Sequence, residues 1–396
     1  MSGKAQRAVS DETARRGASP KVPLARPFLT EDEEQAVVDC LRSGWIGAGP
    51  RGVEFERRFA DYVGSDDAVA TSSGTAALRL ALWSLDLRPG DEVITTAFTW
   101  VSVPNLVAVL GGTPVFCDID AETLNLDLAD VERRITPRTK AIVPVHFAGR
   151  PVDLDRLHAI AEAHGLVAIE DASHALGGQY AGRPVGAGSA LAAFSFHPAK
   201  NITTGEGGML TGRDVERLNR ARGRRYHGVT RDASGPRLDY DVVEPGLKYT
   251  LSDIGAALGL VQLGKLEDFV AVRAQRAARY QERLAPLPGV WTAPPETRAG
   301  CRHAWHLYNI RLDDHAGLRD RVASRLTQDG VGVGLHYRPV HEMTWSRNRG
   351  TYRPLPVSEA VGRTILSLPL HPGLSEADVD YVAERLAAAL EAEGSR

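Results

Sequence analysis

Short apolar segments alternate with helical segments through the first half of the chain, and this alternation restricts the fold more than any other feature. Six segments have the length and the aliphatic content of buried strands: 68–71, 92–96, 115–119, 141–145, 166–170 and 191–196. Strands that alternate with helices build βαβ units, in which the strands are parallel and helices cover both faces of the sheet. The sequence therefore predicts a three-layer α/β domain with a mainly parallel sheet.

The rest of the chain predicts a second, smaller domain of α+β type. A helix is expected from Leu251 to Leu284, long enough to run between two domains. Beyond it the pattern predicts strands at 304–312 and 332–337 and helices at 318–328 and 375–393. We place the large domain at residues 26–260 and the small domain at 261–396, after a polar, disordered tail at 1–25.

Composition and charge exclude several classes of protein. The 396 residues are 43% hydrophobic, so the chain can bury a large core, and a net charge of -3 gives no basic surface for nucleic acid or an anionic membrane. Cys40, Cys117 and Cys301 lie far apart, without the spacing of a metal site or a disulfide framework. Neither a membrane span nor the apolar part of a signal peptide is present. We expect a cytoplasmic protein without metal, nucleic acid or membrane partners.

Lys200 directly follows a predicted buried strand, in the segment FSFHPAKNITTGEGGM at residues 194–209. Polar and glycine residues surround it. A lysine is difficult to keep desolvated, and lysines that form Schiff bases are found in such surroundings. Lys200 is therefore the candidate for a Schiff base with pyridoxal phosphate. An ordinary lysine in a glycine-rich loop would show the same local pattern.

Asp171 ends another predicted strand, in the segment LVAIEDASH at residues 166–174. Pyridoxal phosphate needs a carboxylate against its ring nitrogen, because only the protonated ring is a strong electron sink. Asp171 is the candidate for that carboxylate, and we expect its neighbour Glu170 to point to the opposite face of the sheet. The alternative for Asp171 is an ordinary helix N-cap.

Two other predicted strand ends carry features that suit the same cofactor. The strand at 68–71 leads into a helix through Gly74 and Thr75, and the free N–H groups at a helix start bind anions such as phosphate. The strand at 92–96 is followed by Trp100, whose ring can stack on a pyridine. A helix cap and a core tryptophan are the ordinary alternatives. Together with the lysine and the aspartate, these residues predict a cofactor site.

The order of seven motifs resembles that of the sugar-nucleotide aminotransferases of the DegT/DnrJ/StrS type, within fold type I, the aspartate aminotransferase fold. The motifs are SGWI at 43–46, SGTAAL at 73–78, GDEVI at 90–94, EDA at 170–172, the Lys200 segment, YTLSDI at 249–254 and SLPL at 367–370. They extend from about Phe28 to the end of the chain. The resemblance implies a three-layer, pyridoxal-phosphate-dependent transferase with a large mainly parallel-sheet domain and a smaller α+β C-terminal domain.

The resemblance also implies a role for individual residues. Lys200 would form the Schiff base and Asp171 would pair with the pyridine nitrogen. The other implied cofactor contacts are Trp100 on the ring, His174 at the phenolic oxygen, and Gly74, Thr75 and Ser195 at the phosphate. His174 replaces the glutamine of many relatives, and both side chains can donate a hydrogen bond. Lys248 replaces an asparagine that reaches the phosphate from the neighbouring subunit in many relatives, so a homodimer with shared active sites is implied.

The implied substrates are a keto sugar nucleotide and L-glutamate, which leaves as 2-oxoglutarate. Relatives with histidine at the position of Lys200 dehydrate or deoxygenate the sugar, so the lysine favours transamination. The segment LHYRPVH at 335–341 looks closer to the 4-aminating members. We therefore expect dTDP-4-keto-6-deoxy-D-glucose as the substrate, with UDP as the alternative nucleotide. The expected product is the 4-amino-4,6-dideoxy sugar with an equatorial amine. It would serve aminosugar biosynthesis for a glycosylated natural product or a cell-surface glycan.

Candidate substrate contacts lie in three segments. His336, Tyr337, Arg338 and His341 can donate hydrogen bonds to a diphosphate or to sugar hydroxyls. Trp45 and Ile46 are expected near an entrance shared by two subunits, and Arg224 is a candidate for the carboxylate of the amino donor. An edge strand with solvated polar residues is the alternative for the first of these segments.

Three other functions remain open. An aminotransferase for a 3-keto sugar nucleotide or for a cyclitol would retain the same cofactor residues. A non-catalytic sensor or regulatory protein on this fold would not need Lys200, Asp171 and Trp100 together. Identification of the products formed from glutamate and candidate ketones separates these alternatives.

Overall fold

The computed structural model describes residues 20–230, 239–314, 317–349 and 352–394. The strands are β1 (Asp67–Thr71), β2 (Glu92–Thr96), β3 (Thr113–Cys117), β4 (Thr139–Val143), β5 (Val167–Asp171), β6 (Gln179–Tyr180), β7 (Arg183–Pro184), β8 (Leu191–Ser195), β9 (Gly208–Gly212), β10 (Val229–Thr230), β11 (Asp241–Val242), β12 (Val290–Thr292), β13 (Tyr308–Leu312) and β14 (Ile365–Leu368). The helices are α1 (Glu31–Ser43), α2 (Pro50–Val63), α3 (Gly74–Trp83), α4 (Ser102–Val109), α5 (Leu128–Arg134), α6 (Leu154–Ala163), α7 (Val215–Arg224), α8 (Asp253–Gly264), α9 (Leu266–Leu284), α10 (Leu318–Gln328), α11 (Thr344–Arg347), α12 (Pro356–Thr364) and α13 (Glu376–Gly394).

A seven-stranded sheet forms the centre of the larger part, in the order β1-β9-β8-β5-β4-β2-β3. All of its strands are parallel to one another except β9, which pairs antiparallel with both β1 and β8. The six predicted strands are all present, with ends that differ by at most two residues. The α/β fold class with a mainly parallel sheet is thus confirmed, whereas β9 was not predicted.

Helices cover both faces of this sheet and complete the three layers. On one face, α3, α4 and α7 pack against alternate strand residues such as Val69 and Ile169. On the other face, α2 packs against the neighbouring residues Ala68 and Phe194, and α5 and α6 pack against Ile142. Side chains that alternate between faces therefore build two cores. None of the described helices is long and apolar enough to cross a lipid bilayer.

The C-terminal part is built on a three-stranded antiparallel sheet in the order β12-β13-β14. Helices α9, α10 and α13 bury their apolar faces against it. The predicted helices at 318–328 and 375–393 are present, but the predicted strand at 332–337 is wrong. Backbone bonds connect Gly332 to Val22 and Gly334 to Ser367, so this segment lies between two different partners and does not form a continuous ladder.

The single long helix predicted between Leu251 and Leu284 is two helices, α8 and α9, separated at Lys265. The Lys265 ammonium lies 2.9 Å from Glu33 at the start of α1. Helix α8 packs against α1 and α2, whereas α9 contributes Tyr280 to the core of the C-terminal part. The predicted domain boundary at residue 260 therefore falls within α8, shortly before the chain passes from one core to the other.

The predicted disordered tail is corrected for residues 20–25. Its first part, residues 1–19, lies outside the described residues. Val22 is only 1% exposed, its N–H donates to Gly330 O at 3.0 Å, and its carbonyl accepts from Gly332 N at 2.8 Å. Apolar Val22 and Leu24 interrupt the polar composition of this segment, and they provide the contact that a charged tail would lack.

Candidate active site

A cavity of about 470 Å³ lies at the C-terminal ends of the parallel strands. Segments that follow β1, β2, β5 and β8 line one side of it, and the C-terminal part closes the other side. The structure brings together nine of the residues predicted from the sequence: Gly74, Thr75, Trp100, Asp171, His174, Ser195, Lys200, His336 and Tyr337. Residues predicted at the ends of separate strands therefore lie in one cavity, as expected for a parallel sheet.

Lys200 lies in the loop that connects β8 to β9, with its amine directed into the cavity. Its Nζ is 3.4 Å from Nε2 of His306. Burial lowers the pKa of Lys200 to about 8, although the negative charge of Asp171 opposes this change. About a tenth of the amine is therefore uncharged at pH 7, far more than for an exposed lysine, and the uncharged amine is the form that attacks a carbonyl.

Asp171 ends β5 and is buried beneath the cavity. Its Oδ1 accepts a hydrogen bond from the Ser173 N–H at 3.0 Å, and its backbone N–H donates to Pro144 O at 2.9 Å. Burial raises the pKa of Asp171, while the Ser173 hydrogen bond and the charge of Lys200 oppose this effect. A cationic N–H placed at this carboxylate would offset its desolvation.

Close packing around Gly74 creates a cradle at the start of α3. A Cβ atom on Gly74 would lie 2.6 Å from Cβ of Ser195, and one on Gly208 would lie 2.5 Å from Ser73 O. Ser73 caps the helix by accepting a hydrogen bond from Ala76 N at 3.1 Å. The helix start and the hydroxyl groups of Thr75 and Ser195 thus line the same end of the cavity, an arrangement suited to a phosphate.

The remaining cavity groups match an aromatic ring that carries a polar oxygen. Nε2 of His174 lies 3.1 Å from the Tyr337 hydroxyl, while its buried Nδ1 has no hydrogen-bond partner among the described residues. Trp100 stands at the edge of the cavity, 61% exposed and available to cover a ring. Amine, carboxylate, anion cradle and buried imidazole together fit pyridoxal phosphate.

Residues 27–387 match the profile of the DegT/DnrJ/EryC1/StrS aminotransferase family. The chain belongs to this family. The family is one of aminotransferases, and with a lysine at position 200 this chain is a pyridoxal-phosphate-dependent sugar transaminase. The resemblance found in the sequence motifs is confirmed.

Solved structures of related proteins agree with this assignment over nearly the whole chain. Spr1654 of Streptococcus pneumoniae, in its PMP-form, is 34% identical and superposes with a TM-score of 0.89 over 94% of this chain and 100% of its own. The sugar aminotransferase CalS13 of Micromonospora echinospora is 30% identical, with a TM-score of 0.84 over 93% and 99%. Helicobacter pylori PseC, an aminotransferase of pseudoaminic acid biosynthesis, is 28% identical, with a TM-score of 0.89 over 94% and 99%. A PLP-form of Spr1654 also exists, and the cofactor of this DegT/DnrJ/EryC1/StrS member is pyridoxal phosphate.

Three of the predicted substrate contacts have side chains that do not line the cavity of this chain. Arg224 is buried at the end of α7, where its Nε donates to Glu244 at 2.8 Å. Arg338 donates to Glu342 O at 3.1 Å, and His341 lies 3.1 Å from Glu359. The chain forms a 3-10 helix at Val340–Glu342, and the acceptor of His341 lies in α12.

Three other predicted residues, Trp45, Ile46 and Lys248, lie on the exterior of the chain and do not line its own cavity. Conversely, the cavity contains residues that the sequence did not indicate, among them His306, Leu24 and Ala25. His306 lies within the predicted strand 304–312, where a histidine next to apolar residues has the pattern of an ordinary half-buried strand. Only the tertiary contact with Lys200 distinguishes it.

Glu170 points away from the cavity, as expected for the neighbour of Asp171. Its carboxylate is fully buried and lies 3.1 Å from Nε2 of His146 and 3.4 Å from Nε2 of His158. Burial alone would raise the pKa of Glu170, but the hydrogen bonds from the two histidines outweigh it and lower the pKa from 4.5 to about 2. Glu170 thereby joins β5 to the segment that follows β4.

The substitution Glu170→Gln is expected to reduce the free energy of unfolding at pH 7 by about 3 kcal/mol, because the charge held by the histidines is removed. The lowered pKa means that the ionised carboxylate stabilises the fold fully above pH 4.5 and loses this effect as pH falls toward about 2. Urea unfolding at several pH values measures the difference between the two proteins, which should narrow in acid. Glu132→Gln, at an exposed position, is the control. A difference that stays constant with pH would contradict this account.

Proposed function

We propose that the enzyme transfers the amino group of L-glutamate to C4 of dTDP-4-keto-6-deoxy-D-glucose, forming the 4-amino-4,6-dideoxy sugar nucleotide for aminosugar biosynthesis. One observation carries the transaminase part of this proposal: Lys200 and Asp171 line the same cavity as the anion cradle at α3. The position of amination is supported by the resemblance of segment 335–341 to 4-aminating enzymes, since His336 and Tyr337 of this segment reach the cavity.

Each cavity residue then has a defined role toward the cofactor. Lys200 binds it covalently, Asp171 holds its ring nitrogen, and His174 donates to its phenolic oxygen. Trp100 covers the ring, while the start of α3 with Thr75 and Ser195 binds the phosphate. When bound, pyridoxal phosphate carries the amino group between the two substrates and withdraws electrons from the carbon that loses its proton.

Lys200 also moves the proton in both half-reactions. Its free amine would move the proton from C2 of glutamate to the cofactor carbon in the first half-reaction, and from that carbon to C4 of the sugar in the second. A pKa of about 8 suits both directions, because it is close enough to neutral pH for both the ammonium and the free amine to be populated. The Asp171 carboxylate keeps the ring nitrogen protonated throughout.

Lys200→Ala should lower turnover at least about a hundredfold and abolish the visible absorbance that the cofactor gains when joined to a lysine. Lys140→Ala removes a lysine from the surface near Asp91 and serves as the matched control. Absorbance spectra and coupled assays of 2-oxoglutarate release measure both properties. A Lys200→Ala enzyme with wild-type turnover would refute the proposed role.

The wall opposite the cofactor residues suits an uncharged sugar ring. Nδ1 of His336 lies 2.7 Å from the Ser367 hydroxyl, which also accepts from Asn309 at 2.7 Å. Burial, with the charge of Lys200, lowers the pKa of His336 to about 4, and burial raises the pKa of Tyr337. Both side chains are therefore neutral at pH 7. Neutral hydrogen-bonding groups fit sugar hydroxyls better than a diphosphate, which we place nearer the cavity mouth.

Incubation with L-glutamate and dTDP-4-keto-6-deoxy-D-glucose should yield a sugar with nitrogen at C4 in the equatorial position. NMR of the isolated product identifies the aminated carbon, and the ring coupling constants give its configuration. Nitrogen at C3, or turnover only with another ketone, would contradict the substrate assignment while leaving the aminotransferase activity intact. Absence of turnover with any ketone would favour the sensor alternative.

We further propose a homodimer in which Lys248 reaches the phosphate end of the partner's cavity. In one protomer the Lys248 ammonium lies 4.2 Å from the centre of the Tyr226 ring, on the exterior of the molecule. The same segment of the chain carries exposed apolar side chains, including Val243 at 65% exposure. Trp45 and Ile46 are exposed as well. A second copy that covers these groups would remove them from water and bring a lysine to the phosphate end of the cavity.

Val243→Glu should separate the dimer and weaken cofactor binding severalfold, because a buried charge at an interface is unfavourable and the partner's lysine is lost. Val109→Glu, at a position of similar exposure on α4, is the control. Light scattering measures the mass, and a titration with pyridoxal phosphate measures the affinity. A wild-type monomer with full activity at nanomolar concentration would refute the dimer.

A further inference from the structure

His306 makes a contact with Lys200 that the roles described above do not use. Its Nε2 lies 3.4 Å from Nζ of Lys200, close enough for a hydrogen bond. The side chain is only 5% exposed, and its ring centre is 4.4 Å from that of His174. No described residue bonds its buried Nδ1. Among the described residues, the Lys200 amine is therefore the hydrogen-bond partner of this imidazole inside the cavity.

Backbone contacts fix His306 on both sides. Its N–H donates to Ala148 O at 2.9 Å, and its carbonyl accepts from the Arg273 guanidinium at 3.4 Å. The same guanidinium donates to Trp305 O at 3.2 Å and to Leu370 O at 2.9 Å. Arg273 is 2% exposed, and a cation is expensive to bury. A fully buried arginine that binds three backbone carbonyls holds this segment rigidly against the cavity.

The lysine loop is attached to the same segment. Nδ2 of Asn201, the residue next to Lys200, donates to Ala304 O at 2.9 Å and to Leu176 O at 2.9 Å. The loop that carries the amine and the segment that carries the imidazole are thus joined by a buried hydrogen bond. Because both partners are held by buried bonds, the distance between Nζ and Nε2 is preorganised.

The electrostatic surroundings define which partner carries the proton. The charged and titratable groups near this contact are Asp171 from β5, His174 after β5, His336 from the C-terminal part and Arg273 from α9. Burial keeps the pKa of His306 well below its ordinary value, and the charge of Lys200 has the same effect. His306 is consequently neutral, and in the tautomer that carries its proton on Nδ1 its Nε2 accepts a hydrogen bond from the Lys200 ammonium.

We propose that His306 is a further catalytic residue, whose Nε2 accepts a hydrogen bond from the ammonium of Lys200 and orients its proton within each half-reaction. The proposal depends on the proposed function only in that Lys200 is the reacting amine. In each half-reaction Lys200 takes one proton from the carbon whose C–H bond breaks and gives one proton to the carbon at which the new C–H bond forms. His306 itself does not change its protonation state.

Removal of this acceptor should make the lysine easier to deprotonate. A hydrogen bond to a charged group is strong enough to lower the pKa of free Lys200 by about one unit when it is lost. His306→Phe removes the acceptor, whereas His306→Gln retains a carbonyl oxygen that can accept from the ammonium. In the apoenzyme, the rate of cofactor capture follows the fraction of free amine. Its pH midpoint, measured by stopped-flow absorbance, should fall in His306→Phe and remain near the wild-type value in His306→Gln.

His371→Phe is the control for loss of a buried histidine, since His371 does not line the cavity. An unchanged midpoint in His306→Phe, or an equal shift in His306→Gln, would overturn the proposal. If His306→Phe does not fold, His306→Leu supplies the same comparison. If neither variant folds, the midpoint of His306→Gln decides. A shift of a full pH unit in His306→Gln refutes the proposal, and a wild-type midpoint supports it. A different result would contradict the proposed function: Lys200→Ala would still bind the cofactor with the visible absorbance of the wild-type enzyme.

Discussion

The close approach of two backbones at Gly74 and Gly208 determines the geometry of the whole site. Any side chain at either position would separate the β1–α3 turn from the ends of β8 and β9. Strand β9 returns antiparallel between β1 and β8, so the loop that carries Lys200 lies directly beside the start of α3. A parallel crossover in its place would have put a helix between the amine and the anion cradle. The distance between them therefore depends on two residues without side chains.

The sequence predicts the parts of this fold that depend on local burial and predicts poorly the parts that depend on distant partners. Apolar runs located the six parallel strands, and polar residues at their ends located Lys200 and Asp171. The segment 332–337 has the alternation of a strand, but its backbone bonds go to Val22 on one side and Ser367 on the other. The helix break at Lys265 likewise coincides with a contact to α1. Such constraints have no local signature.

Only the first residues of segment 335–341 contribute side chains to the cavity, although the whole segment was predicted to bind substrate. His336 and Tyr337 reach the cavity, whereas Arg338 and His341 bind acceptors a few residues away along the chain or in α12. His306 was missed for the opposite reason, because its apolar neighbours resemble those of a core strand. Neutral histidines in a buried site carry no charge pattern that a sequence can reveal, and their protonation is set by desolvation.

The N-terminal segment has a consequence for the shape of the substrate chamber. Leu24 and Ala25 form part of the cavity wall, and both precede residue 27, where the match to the family profile begins. Val22 anchors them by its bonds to the C-terminal part. The shape of the substrate chamber is therefore set partly by residues outside the shared family core. Variation at the beginning of the chain can reshape the chamber while every cofactor contact is preserved.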